Sequence, residues 1–290
     1  MPRVTVGLPF FDEQRRLGDS IRSVLAQSFT DFELVLVDDG SRDRSLAIAR
    51  TFTDPRIRLI ADGQRRHLPA RLNEIVRGAR APYVARMDAD DVMHPTRLAR
   101  ECALLDAEPA CDLVGTWIAL VDRTGDVFAV VETGPLPPSP GAVLMQGVLP
   151  HATLVGRREW FAKNPYDETL TRAEDRDLWC RTASKARFAV IPECLYVVRV
   201  DVDKESFARS YVESQRQNRL IFATYGPTMV GRRETSRLIV LAWAKSIVMS
   251  ALLWAGLGDR LVRRRGRPPT ADELAAAHEA LAVGRDGPTS

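Results

Sequence analysis

At 290 residues, with 45% hydrophobic and 27% charged side chains and a formal net charge of +3, the chain can bury one large core, or a core with a small appendage. It contains no internal repeat and no long low-complexity tract, so one domain with extensions is the economical organisation. Cys102, Cys111, Cys180 and Cys194 lack CxxC or ligand-like spacing and have apolar neighbours, which argues for buried reduced thiols over a disulfide frame or a zinc site.

The first predicted strand is Val4 to Leu8, ending at Pro9, Phe10, Phe11 and Asp12. Ile21, Val24, Leu25 and Ser28 then keep helical spacing. Phe32 to Val37 is a nearly continuous apolar run, the pattern of a buried parallel strand, and it enters a polar turn at Asp38, Asp39, Gly40 and Ser41. A helix around Leu46 to Phe52, a strand Ile57 to Ile60, a helix Pro69 to Ala79 and a strand at Tyr83 follow. This βαβαβαβ order predicts an α/β fold with a mostly parallel sheet, flanking helices and right-handed crossovers. Ligands of such sheets sit beyond the carboxyl ends of the strands, where these polar clusters fall.

Directly after the Tyr83 strand come Asp88, Ala89, Asp90 and Asp91, three carboxylates in four residues. Strand geometry lets Asp88 and Asp90 point one way while Asp91 turns the other. Two hard oxygen ligands suit Mg²⁺ or Mn²⁺; the alternative is a solvated acidic turn before the helix that Pro95 opens.

Further on, Leu113 to Val121 and Val127 to Val131 read as strands around a turn at Thr124 and Gly125. Gly134, Pro135, Pro137, Pro138 and Pro140 then break regular structure and mark a crossing between two halves, 1–133 and 134–204. Ala152 to Val155 predicts a strand, Asp175 to Ala183 a helix, and Phe188 to Ile191 with Leu195 to Val198 a final strand pair. A helical extension, 205–290, begins with Ser206 to Tyr225, stopped by Gly226 and Pro227.

Taken in order, Pro9-Phe10-Phe11-Asp12-Glu13, Ser23 to Phe29, Val37-Asp38-Asp39-Gly40-Ser41, Asp88-Ala89-Asp90-Asp91 and Ala173-Glu174-Asp175-Arg176-Asp177-Leu178-Trp179 resemble the successive motifs of family 2 glycosyltransferases with the GT-A fold. The resemblance covers roughly residues 1–200. Many members have Tyr-Asn where this chain has Phe11 and Asp12, and the loop before Asn73 lacks a common glycine. The resemblance implies an enzyme that moves a sugar from a nucleotide diphosphate sugar, with a divalent cation held by Asp90 and Asp88. Pro9, Phe11, Glu13, Asp38, Asp39, Arg71 and Ala89 would border the donor; His151, Glu174 and Trp179 would lie at the substrates.

Glycosyl transfer asks for such residues independently. A nucleotide base needs a planar face and an acceptor for its ring N–H, which Phe11 and Asp39 can offer. The acceptor hydroxyl needs a base, and Asp175 is the candidate. Each has a plainer alternative. Glu174 and Asp175 could be an acidic first turn favoured by the helix dipole, His151 could simply be packed and hydrogen-bonded, and Asp38 could hold its turn. Arg71 and Asn73 could belong to a helix with Leu72, Ile75 and Val76 inward, and Trp179 could be core on an amphipathic helix.

Leu238 to Leu257 is a twenty-residue stretch with one charge, Lys245, and with Trp243 and Trp254. As a helix of about 30 Å it could cross a bilayer, lie in its interface or pack within the protein. Between Gly231 and Pro268, nine basic residues against Glu234 and Asp259 give a local net charge of plus seven, where an anionic leaflet would attract it. Thr270 and Glu273 form a capping-box signature ahead of a short alanine-rich helix.

The sequence therefore predicts an inverting, metal-dependent transferase that takes a sugar, most simply from a uridine diphosphate donor, to a hydroxyl of a cell-envelope glycan or lipid-linked acceptor. With no basic, apolar leader before the first strand, the expected location is the cytoplasm, peripheral at the inner face of the plasma membrane. A nucleotidyltransferase would show a glycine-rich basic loop after the first strand, a non-catalytic sugar-nucleotide binder would lack Asp175, and the carboxy-terminal arginines lack the interleaved aromatics of a nucleic-acid binder.

Overall fold

Apolar runs bounded by turn residues set the centre of the molecule. The computed structural model describes residues 1–134, 138–200, 204–254 and 266–287. Strands β1 (Val4–Phe10), β2 (Phe32–Asp38), β3 (Ile57–Ala61) and β4 (Tyr83–Arg86) lie in the spatial order β3-β2-β1-β4, all parallel. The crossovers carry helices α1 (Leu17–Leu25), α2 (Ser45–Ala49) and α3 (His67–Gly78). The pleat sorts alternate residues of β2: Leu34 and Leu36 enter the layer with Ile21 and Leu98, while Val35 and Val37 enter the opposite layer with Ile75 and Leu178.

Beyond β4 the same sheet becomes mixed. β8 (Val155–Arg157) runs antiparallel between β4 and β6 (Leu113–Val121), and β7 (Val127–Val131) pairs antiparallel with β6. β9 (Phe188–Arg199) lies parallel to β6, and the short β5 (Val92–Met93) closes the order antiparallel to β9. Around this half pack α4 (Arg97–Ala107), α5 (Pro140–Gln146), α6 (Arg158–Lys163) and α7 (Glu174–Thr182). The extension comprises α8 (Lys204–Met229), α9 (Arg232–Trp254) and α10 (Ala271–Asp286). The thiols of Cys102, Cys111 and Cys194 are buried, and burial pushes that of Cys102 up to about 12.

Several elements differ from expectation for identifiable reasons. Phe188 to Val198 is one strand alongside β6, not a pair; the register shifts at Trp117, opposite the stretch containing Pro192, which has no N–H to donate. Pro140 opens α5, with the Ser139 hydroxyl accepting the Ala142 N–H at 3.2 Å, so the proline tract includes a helix start. The predicted strand at Ala152 is a single 3₁₀ turn, His151–Thr153, and the strand begins at Val155.

Gly226 and Pro227 do not stop α8, which ends at Met229 before Gly231 takes a φ of +85°. Gly226 serves packing instead: a Cβ there would stand 2.5 Å from the Thr235 hydroxyl oxygen of α9. On α9 the residues turned inward are Thr235, Leu238, Ala242 and Ser246, while Val240, Trp243, Ile247 and Val248 are exposed. The α8–α9 pair docks on the domain through Leu144, Ile221, Phe222 and Leu238, and through the Tyr225 hydroxyl, which donates to Asp177 at 2.6 Å. α10 has the expected capping box and buries Ala277, Ala280 and Leu281 against Val92, Val121 and Val197. Leu257, Arg260 and Arg263 to Arg265 lie outside the described residues.

Overpacking a close helix contact costs about 1–3 kcal/mol. Gly226→Val is therefore expected to lower the melting temperature by several degrees in calorimetry, whereas Gly134→Val, at a site with nothing within 4 Å of the added Cβ, should leave it within a degree or so.

Candidate active site

The carboxyl ends of β1 and β2 and the first turn of α7 converge on one crevice, whose lining does not include Asp88 or Asp90. A cavity of about 540 Å³ there is lined by Pro9, Phe11, Asp39, Arg71, Glu174 and Asp175, together with Arg65, Arg172 and Ser214. Asp39 accepts the Arg66 and His67 backbone N–H groups at 2.7 and 3.1 Å and Arg71 Nε at 2.9 Å. Two of those donors share Oδ1, so Oδ2 keeps capacity for another. Arg71 is fully buried and clamped by Asp39, Asp62, Glu74 and the Gln64 carbonyl, so it organises the crevice wall. Asn73 is likewise engaged, bonded to the backbone of Tyr166 and to Glu168. The Phe11 ring carries the Arg65 guanidinium 3.4 Å from its centroid, a stacking surface with a cation already on it.

Asp38 is buried and its carboxylate accepts the Ser41 N–H at 3.0 Å; the turn-holding alternative describes it. Ala89 is buried as well, its carbonyl accepting from the Ser20 hydroxyl.

The acidic cluster lies in the turn that follows β4, not on the strand, and divides by burial. Asp91 turns inward, 3% exposed, and accepts the Arg199 N–H, while Asp88 and Asp90 stay partly exposed. Burial, then the Asp88 charge, raises the Asp90 carboxyl, and burial followed by Asp90 pushes Glu13 up to about 7. Carboxylates that raise one another in a partly desolvated site supply what a hard divalent cation neutralises. Among the described residues no group of three or more His, Cys, Asp or Glu could hold an ion alone. Two carboxylates plus waters and substrate phosphate is the mode in which Mg²⁺ usually binds.

Below this cluster lies Arg86, which sequence reasoning missed. It pairs with Asp88 at 2.7 Å from a side chain only 8% exposed. It is the last residue of β4, two positions before Asp88, and that short spacing was the available signal. His151 Nε2 lies 2.8 Å from the Tyr166 hydroxyl, and Nδ1 is 3.6 Å from Glu174. Burial, aided by Arg86, holds the imidazole well below its usual range, so it is neutral at pH 7. Ala173, at φ +62°, turns the chain sharply into α7, a left-handed conformation that costs a non-glycine residue about 1–2 kcal/mol. Glu174 is thereby buried, and burial, then the adjacent Asp175, pushes its carboxyl up to about 7.

Asp175 lines the first cavity and also a second, of about 600 Å³, bounded by Ile118, Glu132, Gln146, Gly147 and His151. Trp179 corrects the substrate-contact reading: it is fully buried, edge-on to Phe188, behind Gly147, whose φ is +80° and where a Cβ would come within 3.0 Å of the indole.

The profile of glycosyl transferase family 2 matches residues 5–130. A putative glycosyltransferase of Bacillus subtilis (strain 168), EpsE, is 33% identical over 209 residues, 70% of this chain and 74% of that protein. The mannosyltransferase PcManGT from Pyrobaculum calidifontis, solved with GDP-Man and Mn²⁺, superposes with a TM-score of 0.60 at 18% identity, covering 98% of this chain and 87% of that one. S. aureus TarS 1-349 with UDP-GlcNAc gives 0.57 at 17%, covering 98% and 90%. The fold is that of the GT-A nucleotide-sugar transferases. The chain belongs to glycosyl transferase family 2 and is a glycosyltransferase.

The raised Glu174 carboxyl sets a pH dependence. Its folded value of about 7 exceeds the ordinary 4.5, so the stability of the neutral buried form is complete below about 4.5 and is lost as pH rises to about 7. Glu174→Gln removes that loss. Calorimetric melting from pH 4 to 8 should show the variant gaining on the wild type between 4.5 and 7, with a constant gap above.

Proposed function

We propose that this glycosyltransferase takes its sugar from a uridine diphosphate donor and transfers it, with inversion, to a hydroxyl of a cell-envelope glycan or a lipid-linked acceptor. The observation that carries the reading is Asp175, on the wall common to the two cavities. With the donor in the cavity of Phe11 and Asp39 and the acceptor in the cavity of His151 and Glu132, the Asp175 carboxylate takes the proton of the attacking hydroxyl. Attack from the acceptor side, opposite the leaving diphosphate, inverts the anomeric centre. A Mg²⁺ or Mn²⁺ ion held by Asp90 and Asp88 would supply Lewis-acid stabilisation to the negative charge of the departing diphosphate. Arg86 pairs with Asp88 from beneath, Asp39 Oδ2 accepts a ring N–H of the base, and Phe11 with Arg65 flanks its face.

Asp175→Asn should lower transfer by about 10²-fold or more with donor affinity close to wild type. Asp90→Ala should abolish transfer and weaken donor binding in Mn²⁺. Calorimetry should find uridine diphosphate bound more tightly than cytidine diphosphate, whose ring offers an acceptor where uridine has N–H. Equal affinities would remove the role of Asp39, and lost donor binding in Asp175→Asn would reassign that residue.

The extension supports a peripheral position at the inner face of the plasma membrane. Residues Arg232–Leu252 of α9 are long and apolar enough to cross a membrane, but the inward face of the helix is used against α8, which favours lying on the surface. Its outward Trp243, Ile247 and Val248 would enter the headgroup boundary, with Arg232 and Arg233 nearby. Arg267 is taken up by Glu132 and Glu273, each at 2.6 Å. Because α10 packs into the domain, point substitution is a cleaner test than truncation. Trp243→Glu with Ile247→Glu should abolish sedimentation with vesicles rich in phosphatidylglycerol; unchanged sedimentation would assign membrane contact elsewhere.

A further inference from the structure

On the far side of α1 from its buried face, three separate elements and the carboxy-terminal helix enclose a cavity of about 430 Å³. The segment before α1 gives it Arg15 and Arg16, the β6–β7 turn Arg123, the end of β9 Arg199, and α10 both Arg285 and His278. Its acids are committed to structure. Asp19 is held by Arg22 at 2.7 Å and by Arg199 at 2.6 Å, and Asp122 accepts the N–H groups of Thr124 and Asp126 in its own turn. Among the described residues Arg15, Arg285 and His278 have no side-chain partner, and Arg199 Nη1 is buried without one.

Five guanidinium groups from four places in the chain, Arg15, Arg16, Arg123, Arg199 and Arg285, meet only two carboxylates, Asp19 and Asp122, in the lining of this hollow, so it keeps a net positive charge that attracts an anion. Planar guanidinium forks match phosphate oxygens in pairs, which a solvated ammonium does not. α10 contributes nothing to the donor crevice among the residues described there, and this cavity gives it a use: Arg22 Nε anchors it by donating to the Gly284 carbonyl at 2.7 Å, which sets Arg285 one residue on.

We propose that this cavity is a binding site for a phosphate-bearing ligand, separate from the donor crevice and independent of which nucleotide sugar the enzyme uses. The phosphate could belong to a soluble phosphate compound or to a lipid headgroup, and both present the same dianionic oxygens.

The test uses the full chain and the double variant Arg15→Glu with Arg285→Glu. Arg16 is left in place because it also acts on Glu13 and Asp90. In chelator, calorimetric titration with inorganic pyrophosphate should show binding that falls at least tenfold in the variant, while uridine diphosphate binding in Mn²⁺ and the melting temperature stay at wild-type values. Arg123→Ser, on another wall, should weaken pyrophosphate in the same direction. Vesicles of phosphatidylcholine with and without phosphatidic acid then identify the source: a phosphatidic-acid-dependent sedimentation lost in the variant points to a lipid phosphate, and sedimentation equal in variant and wild type points to a soluble one. Pyrophosphate bound equally by all three proteins, or by none, with vesicle binding also indifferent to the substitutions, would overturn the proposal.

Discussion

The Arg86 guanidinium is the charge on which the site depends. The carboxyl ends of a parallel sheet gather acids, and each carboxylate taken from water raises its neighbours unless a cation lies within reach. Arg86 supplies one from inside: its side chain pairs with Asp88, and its charge also acts on Glu174 and His151. It is held in turn by its own backbone, whose carbonyl accepts from buried Arg97 and whose N–H donates to Leu154. Asp90, further from this cation and next to Asp88, is left with a raised carboxyl. The protein thus supplies a cation of its own to Asp88 and leaves Asp90 without one as close, which is the carboxylate the proposed metal ion would neutralise.

The same logic separates Glu174 from Asp175. The two are adjacent on one helical turn, yet Glu174 is 8% exposed among His151, Tyr166 and Arg86, while Asp175 faces both cavities. The proposed base must be reachable, and a neighbour whose carboxyl is pushed up to about 7 carries less than a full negative charge beside it near neutrality. The left-handed turn at Ala173 creates this difference, because it sets which face of α7 the first two side chains occupy.

How much of this was legible in the sequence follows from the range of the forces involved. β1 to β4 were readable because strand burial is local: apolar runs end at turn residues. The spacing and order of the motifs brought Pro9, Phe11, Asp39 and Asp175 to one crevice. What escaped depends on partners distant in the chain. Nothing near Arg71 announces that Asp39, Asp62 and Glu74 will consume its donors, and Trp179 looks like a pocket wall until Gly147 is seen against it. The strand pair expected at Phe188 to Ile191 and Leu195 to Val198 is one strand, because a register shift beside β6 absorbs the residues between them, and Pro227, expected to stop α8, falls within its last turn. Ser214 reaches the crevice from a helix carrying no motif.

The extension inverts the ordinary helix rule, and the inversion connects it to the acceptor. α9 turns small residues inward, where Ala242 and Ser246 allow close packing on α8, and large apolar ones outward. In water that arrangement forfeits the burial of Trp243, Ile247 and Val248, each worth about 1.5–3 kcal/mol if removed from solvent. Against an apolar surface, as proposed for α9, that burial would be regained, whereas Ala277, Ala280 and Leu281 of α10 are already buried in the domain. α8 joins that outward helix to the crevice, since it packs on α9, donates from Tyr225 to Asp177 of the helix that carries Asp175, and places Ser214 at the donor cavity. Contact with a membrane through α9 would therefore fix the orientation in which the acceptor side of Asp175 meets a substrate anchored in the same surface.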